Sequence, residues 1–105
     1  LVAEDNIINQ IALIESLKKA ELNYSIANNG SEAIELLKEN SYDILLLDLY
    51  MPDKNGFDVL QFLNTSASTI DKRPYVLTMS TDNRKEIEKK CLDLGANYIL
   101  HQVWL

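Results

Sequence analysis

Three short apolar runs end on residues that can do chemistry. "LVA" (1–3) runs into Glu4 and Asp5, "ILLL" (44–47) into Asp48, and "YVLTM" (75–79) into Ser80 and Thr81. Carboxylates gathered in one place repel one another, and a divalent cation relieves that repulsion. A small set of hard oxygen donors suits Mg²⁺, which keeps several of its waters. A carboxylate beside such a cation can be a nucleophile and form an acyl phosphate, the cation offsetting charge on the incoming phosphoryl group. A neighbouring hydroxyl can then donate to a phosphoryl oxygen. Each feature also has a structural reading. An acid at a strand end can act as a cap, and Asp-Asn or Ser-Thr-Asp before a helix is a common N-cap pattern.

The chemistry depends on elements that bring the three segments together. "LVA" reads as the tail of a buried strand. Ile7, Ile11 and Ile14, with Ile8 and Leu17 beside them, give helical spacing after it. "NYSIA" (23–27) reads as a strand, and Asn29 with Glu32 fits a helix start whose inward positions are Ala33, Ile34 and Leu37. "YDILLLD" (42–48) is a continuous apolar run, as in a strand covered on both faces. Phe57, Leu60 and Leu63 mark a short helix, 65–73 a polar connection, and 74–80 a further strand. Ile87, Cys91 and Leu94 form one stripe of a helix that ends on Gly95, and "NYIL" (97–100) is a fifth strand. The strict β-α alternation predicts a parallel sheet with helices on both faces. Glu4, Asp5, Asp48, Ser80 and Thr81 then all fall at carboxyl ends of strands, the edge where such sheets bind ligands.

With 105 residues, the chain is read as one domain, 1–105, incompletely represented at both ends because it starts without Met and stops five residues after the fifth strand. A fifth helix is expected beyond Leu105. The net charge of −6 argues against nucleic acid as a direct partner. The longest apolar run, Ile44 to Leu47, is far too short to span a membrane. The single Cys91 favours a cytoplasmic setting and, on its helix stripe, reads as a core residue. The run "NRKEIEKK" reads as a solvated helix face.

The segment "YDILLLDLYMPDKNGFDVL" closely resembles the phosphorylation-site region of receiver domains of two-component response regulators. "LVAEDNIINQ" is similar to the opening of receivers, particularly those of hybrid sensor kinases, and "ANNGSEAIELL", "RPYVLTMST" and "CLDLGANYIL" extend the likeness over nearly the whole chain. The resemblance implies a flavodoxin-like, doubly wound α/β fold with a five-stranded parallel sheet of order 2-1-3-4-5, here without its final helix. It implies Asp48 as phospho-acceptor and Glu4 and Asp5 as the acidic pair for Mg²⁺, Asp5 being the direct ligand. Asp48 itself and the backbone carbonyl of Tyr50 complete the metal set, and Met51, Pro52 and Gly56 shape the loop. Ser80 matches the switch hydroxyl, with Thr78 inside the strand, and Thr81 takes a position where the family usually has a small residue.

The likeness fails at the end of the chain. Counted seven residues on from Gly95, Gln102 stands where the family has its phosphoryl-pairing lysine and Val103 where it has the proline after it; either the receiver is degenerate there, or residues around Leu100–His101 are not represented, or the tail is foreign to the domain. A neutral amide cannot replace an ammonium. Ile99, with Tyr98 beside it, stands at the aromatic switch position. His101, the only histidine, follows a strand rather than lying on an exposed helix and is not read as a phosphotransfer residue. Three function classes follow. The first is a phospho-acceptor domain fed by a sensor histidine kinase or histidine phosphotransfer protein and acting on an output domain, with the fourth helix and fifth strand as a partner surface. The second is a degenerate receiver that binds partners independently of phosphate. The third, an Asp-nucleophile phosphohydrolase, calls for a second acid two residues on, where this chain has Tyr50.

Overall fold

The computed structural model describes residues 1–65, 72–82 and 84–101. Five strands and four helices alternate: β1 (Val2–Ala3), α1 (Ile7–Lys19), β2 (Ile26–Ala27), α2 (Gly30–Glu39), β3 (Ile44–Asp48), α3 (Gly56–Thr65), β4 (Tyr75–Ser80), α4 (Lys85–Asp93) and β5 (Tyr98–His101). All strand pairs are parallel, in the order β2-β1-β3-β4-β5, as the alternation and the resemblance require. The order reverses direction between β1 and β3, so a crevice opens outside their carboxyl ends.

One face of the sheet is closed. Leu45 and Leu47 of β3 and Val76 of β4 pack with Ala33 and Leu37 of α2, Val59, Leu60 and Leu63 of α3, and Cys91 of α4. Of the residues that helical spacing singles out in α2, α3 and α4, Ala33, Leu37, Leu60, Leu63 and Cys91 are buried, and Ile34, Phe57, Ile87 and Leu94 are partly buried against them. Asn29 caps α2, its side chain accepting from Glu32 N–H at 2.8 Å. Gly95, at φ 95°, takes the left-handed turn that stops α4, a conformation open to glycine at little cost.

The other face carries α1, and the fifth helix expected beyond Leu105 is not among the described residues. Ile44 is exposed and Leu46 half-buried, and with Val2, Tyr75 and Leu77 they border a groove of 500 Å³ against Leu17 and Leu22. The apolar run of β3 thus packs one side against α2, α3 and α4 and turns the other toward this groove. In α1, Ile7, Ile8 and Ile11 are 68%, 73% and 54% exposed, so their helical spacing marks an outward patch, while Gln10 is the buried position. β2 is two residues long, shorter than the five read from sequence. The expected polar connection 65–73 lies largely outside the described residues, as do Gln102, Val103 and Leu105.

Candidate functional site

Glu4 leaves the end of β1 with its N–H bonded to Ala27 O at 3.0 Å. Its carboxylate is 1% exposed and accepts from Asn9 Nδ2 at 3.0 Å and from Asn6 N–H at 3.3 Å. A buried carboxylate without such donors would be costly. Asn6 also caps α1, accepting from the N–H groups of Ile8 (2.9 Å) and Asn9 (3.1 Å). The Asp-Asn cap reading thus holds for Asn6, while its neighbour Asp5 stays exposed and free to face the crevice. Gln10 donates to Glu4 O and to Asn28 Oδ1, the latter at 2.8 Å, and so ties α1 to the ends of β1 and β2.

Asp48 ends β3 half-buried, and one of its oxygens accepts from Tyr50 N–H at 3.2 Å. The chain then turns back: Gly56 N–H bonds Leu49 O at 2.9 Å, and a Cβ at Gly56 would come within 2.6 Å of Asp48 O. Only a residue without a side chain permits that approach. Ser80 ends β4 buried, its Oγ accepting from Asp82 N–H at 2.9 Å, while Thr78 lies inside the strand and fully buried.

These strand ends meet. Carboxylate oxygens of Glu4, Asp5 and Asp48 all lie within 4.8 Å of one another. They line a cavity of 280 Å³ together with Asn6, Asn9, Tyr50, Ser80 and Thr81. Burial pushes the Asp48 carboxyl up to about 8, with a shared hydrogen bond to Glu4 and the charges of Glu4 and Asp5 adding to the rise; the Tyr50 N–H opposes it. No salt bridge among the described residues neutralises any of the three acids. Three oxygen donors, one of them buried among fixed amide donors, with uncompensated negative charge, fit a small hard cation.

Residues 1–103 match the family described as the response regulator receiver domain. The chain belongs to that family. The receiver is 29% identical over 105 residues to hybrid signal transduction histidine kinase K of Dictyostelium discoideum, covering 95% of this chain and 9% of that protein. It superposes with a TM-score of 0.85, at 20% identity, on the receiver domain of the sensor histidine kinase PA1611 of Pseudomonas aeruginosa PAO1, a structure with a magnesium ion coordinated in its active site cleft; 99% of this chain and 84% of that one are covered. It also superposes, with a TM-score of 0.80 and 27% identity over 94% of this chain and 74% of the other, on the Saccharomyces cerevisiae complex between the histidine phosphotransfer protein Ypd1 and the receiver domain of Ssk1. The receiver spans a small fraction of the length of its curated relatives, 9% of the kinase above. No helix among its described residues is long and apolar enough to cross a membrane.

Sequence reasoning did not single out Asn9, Gln10 or Asp82. Asn9 and Gln10 interrupt an isoleucine-rich helix start, and that interruption was the available signal. Asp82 reads as an ordinary cap before α4, yet Arg84 holds the N-cap position without a side-chain cap bond. Asp82 instead accepts from Arg84 and from the Tyr50 hydroxyl. His101 sits beside Ser80 in the β4–β5 register, but its side chain pairs with Glu88 of α4 at 2.7 Å and does not line the cavity.

Proposed function

We propose that this receiver is a phospho-acceptor domain of a two-component phosphorelay, with Asp48 as acceptor. The observation that carries this reading is the convergence of Glu4, Asp5 and Asp48 in one cavity with Ser80. Asp5, Asp48 and the Tyr50 carbonyl would hold Mg²⁺, with Glu4 behind them. The bound cation would supply charge neutralisation for the carboxylates and the phosphoryl group. An Asp48 oxygen attacks phosphorus in line; the P–N bond to the donor's imidazole breaks and the imidazole leaves with the bonding pair. Asp48 must be ionised to attack, so the charge balance that lowers its pKa from about 8 governs the step.

The donor is a sensor histidine kinase or a histidine phosphotransfer protein, by analogy with the Ypd1–Ssk1 pair. The exposed Ile7, Ile8 and Ile11 lie in the same helix turns as Asn6 and Asn9, which line the cavity, and give such a protein an apolar landing surface. Ser80 donates to the new phosphoryl group, and this contact biases the loop after β4, and α4 with it, toward a second state read by an output partner. The domain acts in the cytoplasm, as part of a hybrid kinase or as a separate regulator.

Incubation with a small phosphodonor and Mg²⁺ tests the reading: the intact mass gains one phosphoryl group, and the gain disappears without Mg²⁺ and in Asp48→Asn. An adduct that persists in Asp48→Asn rejects Asp48 as acceptor. The second reading, a receiver that binds partners without phosphate, is favoured by one feature, the neutral Gln102 where the family has lysine. It predicts that beryllofluoride leaves the amide spectrum nearly unchanged and that partner binding ignores Asp48→Asn.

A further inference from the structure

Glu4 is gripped from α1. At the start of that helix the Asn6 side chain caps the N–H groups of Ile8 and Asn9. Asn9, the third helical residue, stands where a capping box places a side chain that reaches back to the cap's own N–H. Here the Asn6 N–H goes instead to Glu4 Oε2 at 3.3 Å, which leaves the Asn9 amide for another acceptor. Its Nδ2 donates to Glu4 Oε1 at 3.0 Å. Each oxygen of one carboxylate thus receives a donor from the start of α1. Among the described residues, Asn9 is the one side-chain amide that donates to that carboxylate. Gln10, buried beside it, donates to Glu4 O and to Asn28 Oδ1 and fixes the helix start against the ends of β1 and β2. Asn9 lines the same cavity as Asp5 and Asp48.

We infer that Asn9 is a positioning residue for the cation site: by donating to Glu4 Oε1 it holds the buried carboxylate in the orientation from which it reaches the waters of bound Mg²⁺, and so sets the affinity of the site. The inference rests on the cation site of the proposed function, not on phosphoryl transfer. Glu4 is 1% exposed, whereas Asp5 is exposed and Asp48 half-buried. Mg²⁺ keeps several of its waters, so the most buried of the three acids meets the cation through one of them. Which way its oxygens point then decides whether it can accept from that water. The terminal torsion of a glutamate is broad, and one backbone bond at 3.3 Å sets the carboxylate plane loosely. The shorter bond from Asn9 fixes that plane. Groups that orient the anions around a metal change its affinity without touching it.

The test titrates Mg²⁺ into metal-free parent, Asn9→Ala, Glu4→Gln and the double variant Asn9→Ala/Glu4→Gln, each as the full chain. Dissociation constants are read from the Asp5 and Asp48 amide shifts. Asn9→Ala keeps the N–H that Asn6 caps and favours the helix. Asn9→Leu, close to asparagine in shape but without a donor, carries the comparison if the alanine variant does not fold. Asn9→Ala binds Mg²⁺ about two- to tenfold more weakly than the parent, the range to which the net contribution of one hydrogen bond converts. The double variant binds no more weakly than Glu4→Gln, because the amide acts through Glu4. With acetyl phosphate as donor, the half-saturating Mg²⁺ concentration of Asn9→Ala rises by the same factor, while the rate at saturating Mg²⁺ stays at the parent's value; a general loosening of the fold would lower that rate. Parent-like affinity in Asn9→Ala overturns the inference, as do a fall in the saturated rate and a double variant in which the two single effects multiply. A chain that shows the expected order of affinities yet takes no phosphoryl group rejects the proposed function and upholds the inference. A parent that binds no Mg²⁺ overturns the inference along with the cation site.

Discussion

The charge crowded around Asp48 should be measurable as a pH-dependent loss of stability that one atom exchange removes. In the folded chain the Asp48 carboxyl titrates near 8 instead of 3.8, through burial first and the neighbouring acids second. Below about pH 4 both folded and unfolded chains hold the proton, and Asp48 carries no penalty. Between about pH 4 and pH 8 the unfolded chain has released it while the folded one retains it, so folding loses stability as pH rises; above about pH 8 the loss is complete. At 1.36 kcal/mol per unit the full shift corresponds to roughly 5–6 kcal/mol. Asp48 is half-buried and solvent screens part of the interaction, which brings the expected loss to about 2–3 kcal/mol. Asp48→Asn keeps the shape and cannot ionise. Urea unfolding of metal-free parent and variant at about pH 4 and about pH 9 gives the comparison. The variant matches the parent at the lower pH and is about 2–3 kcal/mol more stable at the higher one. Saturating Mg²⁺ closes most of the gap by stabilising the parent. A difference that stays flat with pH would refute the electrostatic account of the site.

Four further outcomes are expected. Asn29→Ala removes the α2 cap and costs about 1 kcal/mol in chemical unfolding, with the Glu32 amide losing exchange protection. Gly56→Ala forces a Cβ against Asp48 O and the Leu49 backbone, costs about 1–3 kcal/mol, and shifts the Asp48 and Tyr50 amides. Cys91 is buried and its thiol is pushed up by that burial, so iodoacetamide leaves it unmodified in the native protein and alkylates it once urea unfolds the chain. Ile8→Asp lowers the rate of phosphoryl transfer from a histidine phosphotransfer protein while leaving phosphorylation by acetyl phosphate unchanged, because Ile8 is exposed and outside the cavity lining.

The order of elements was legible because each strand is a short apolar run and each helix a spaced one, and the two periodicities are hard to confuse. The carboxyl-edge position of Glu4, Asp5, Asp48 and Ser80 followed from that order alone, since parallel strands share one direction. Burial was less legible. Spacing cannot tell an inward stripe from an outward one, and Ile7, Ile8 and Ile11 face outward while Gln10, a polar residue, packs inside to bond Glu4 O and Asn28. The Tyr50–Asp82 bond joins residues 32 positions apart on two loops, and nothing in local spacing records such a pair.

The acceptor assignment is tested most directly by locating the acyl phosphate. Phosphorylated protein is reduced with borohydride, which converts an aspartyl phosphate to homoserine, and its peptides are sequenced by mass spectrometry. The account predicts a single converted residue, Asp48, formed with Mg²⁺ and absent without it. Conversion at another residue, or at Asp48 to the same extent without Mg²⁺, would contradict it.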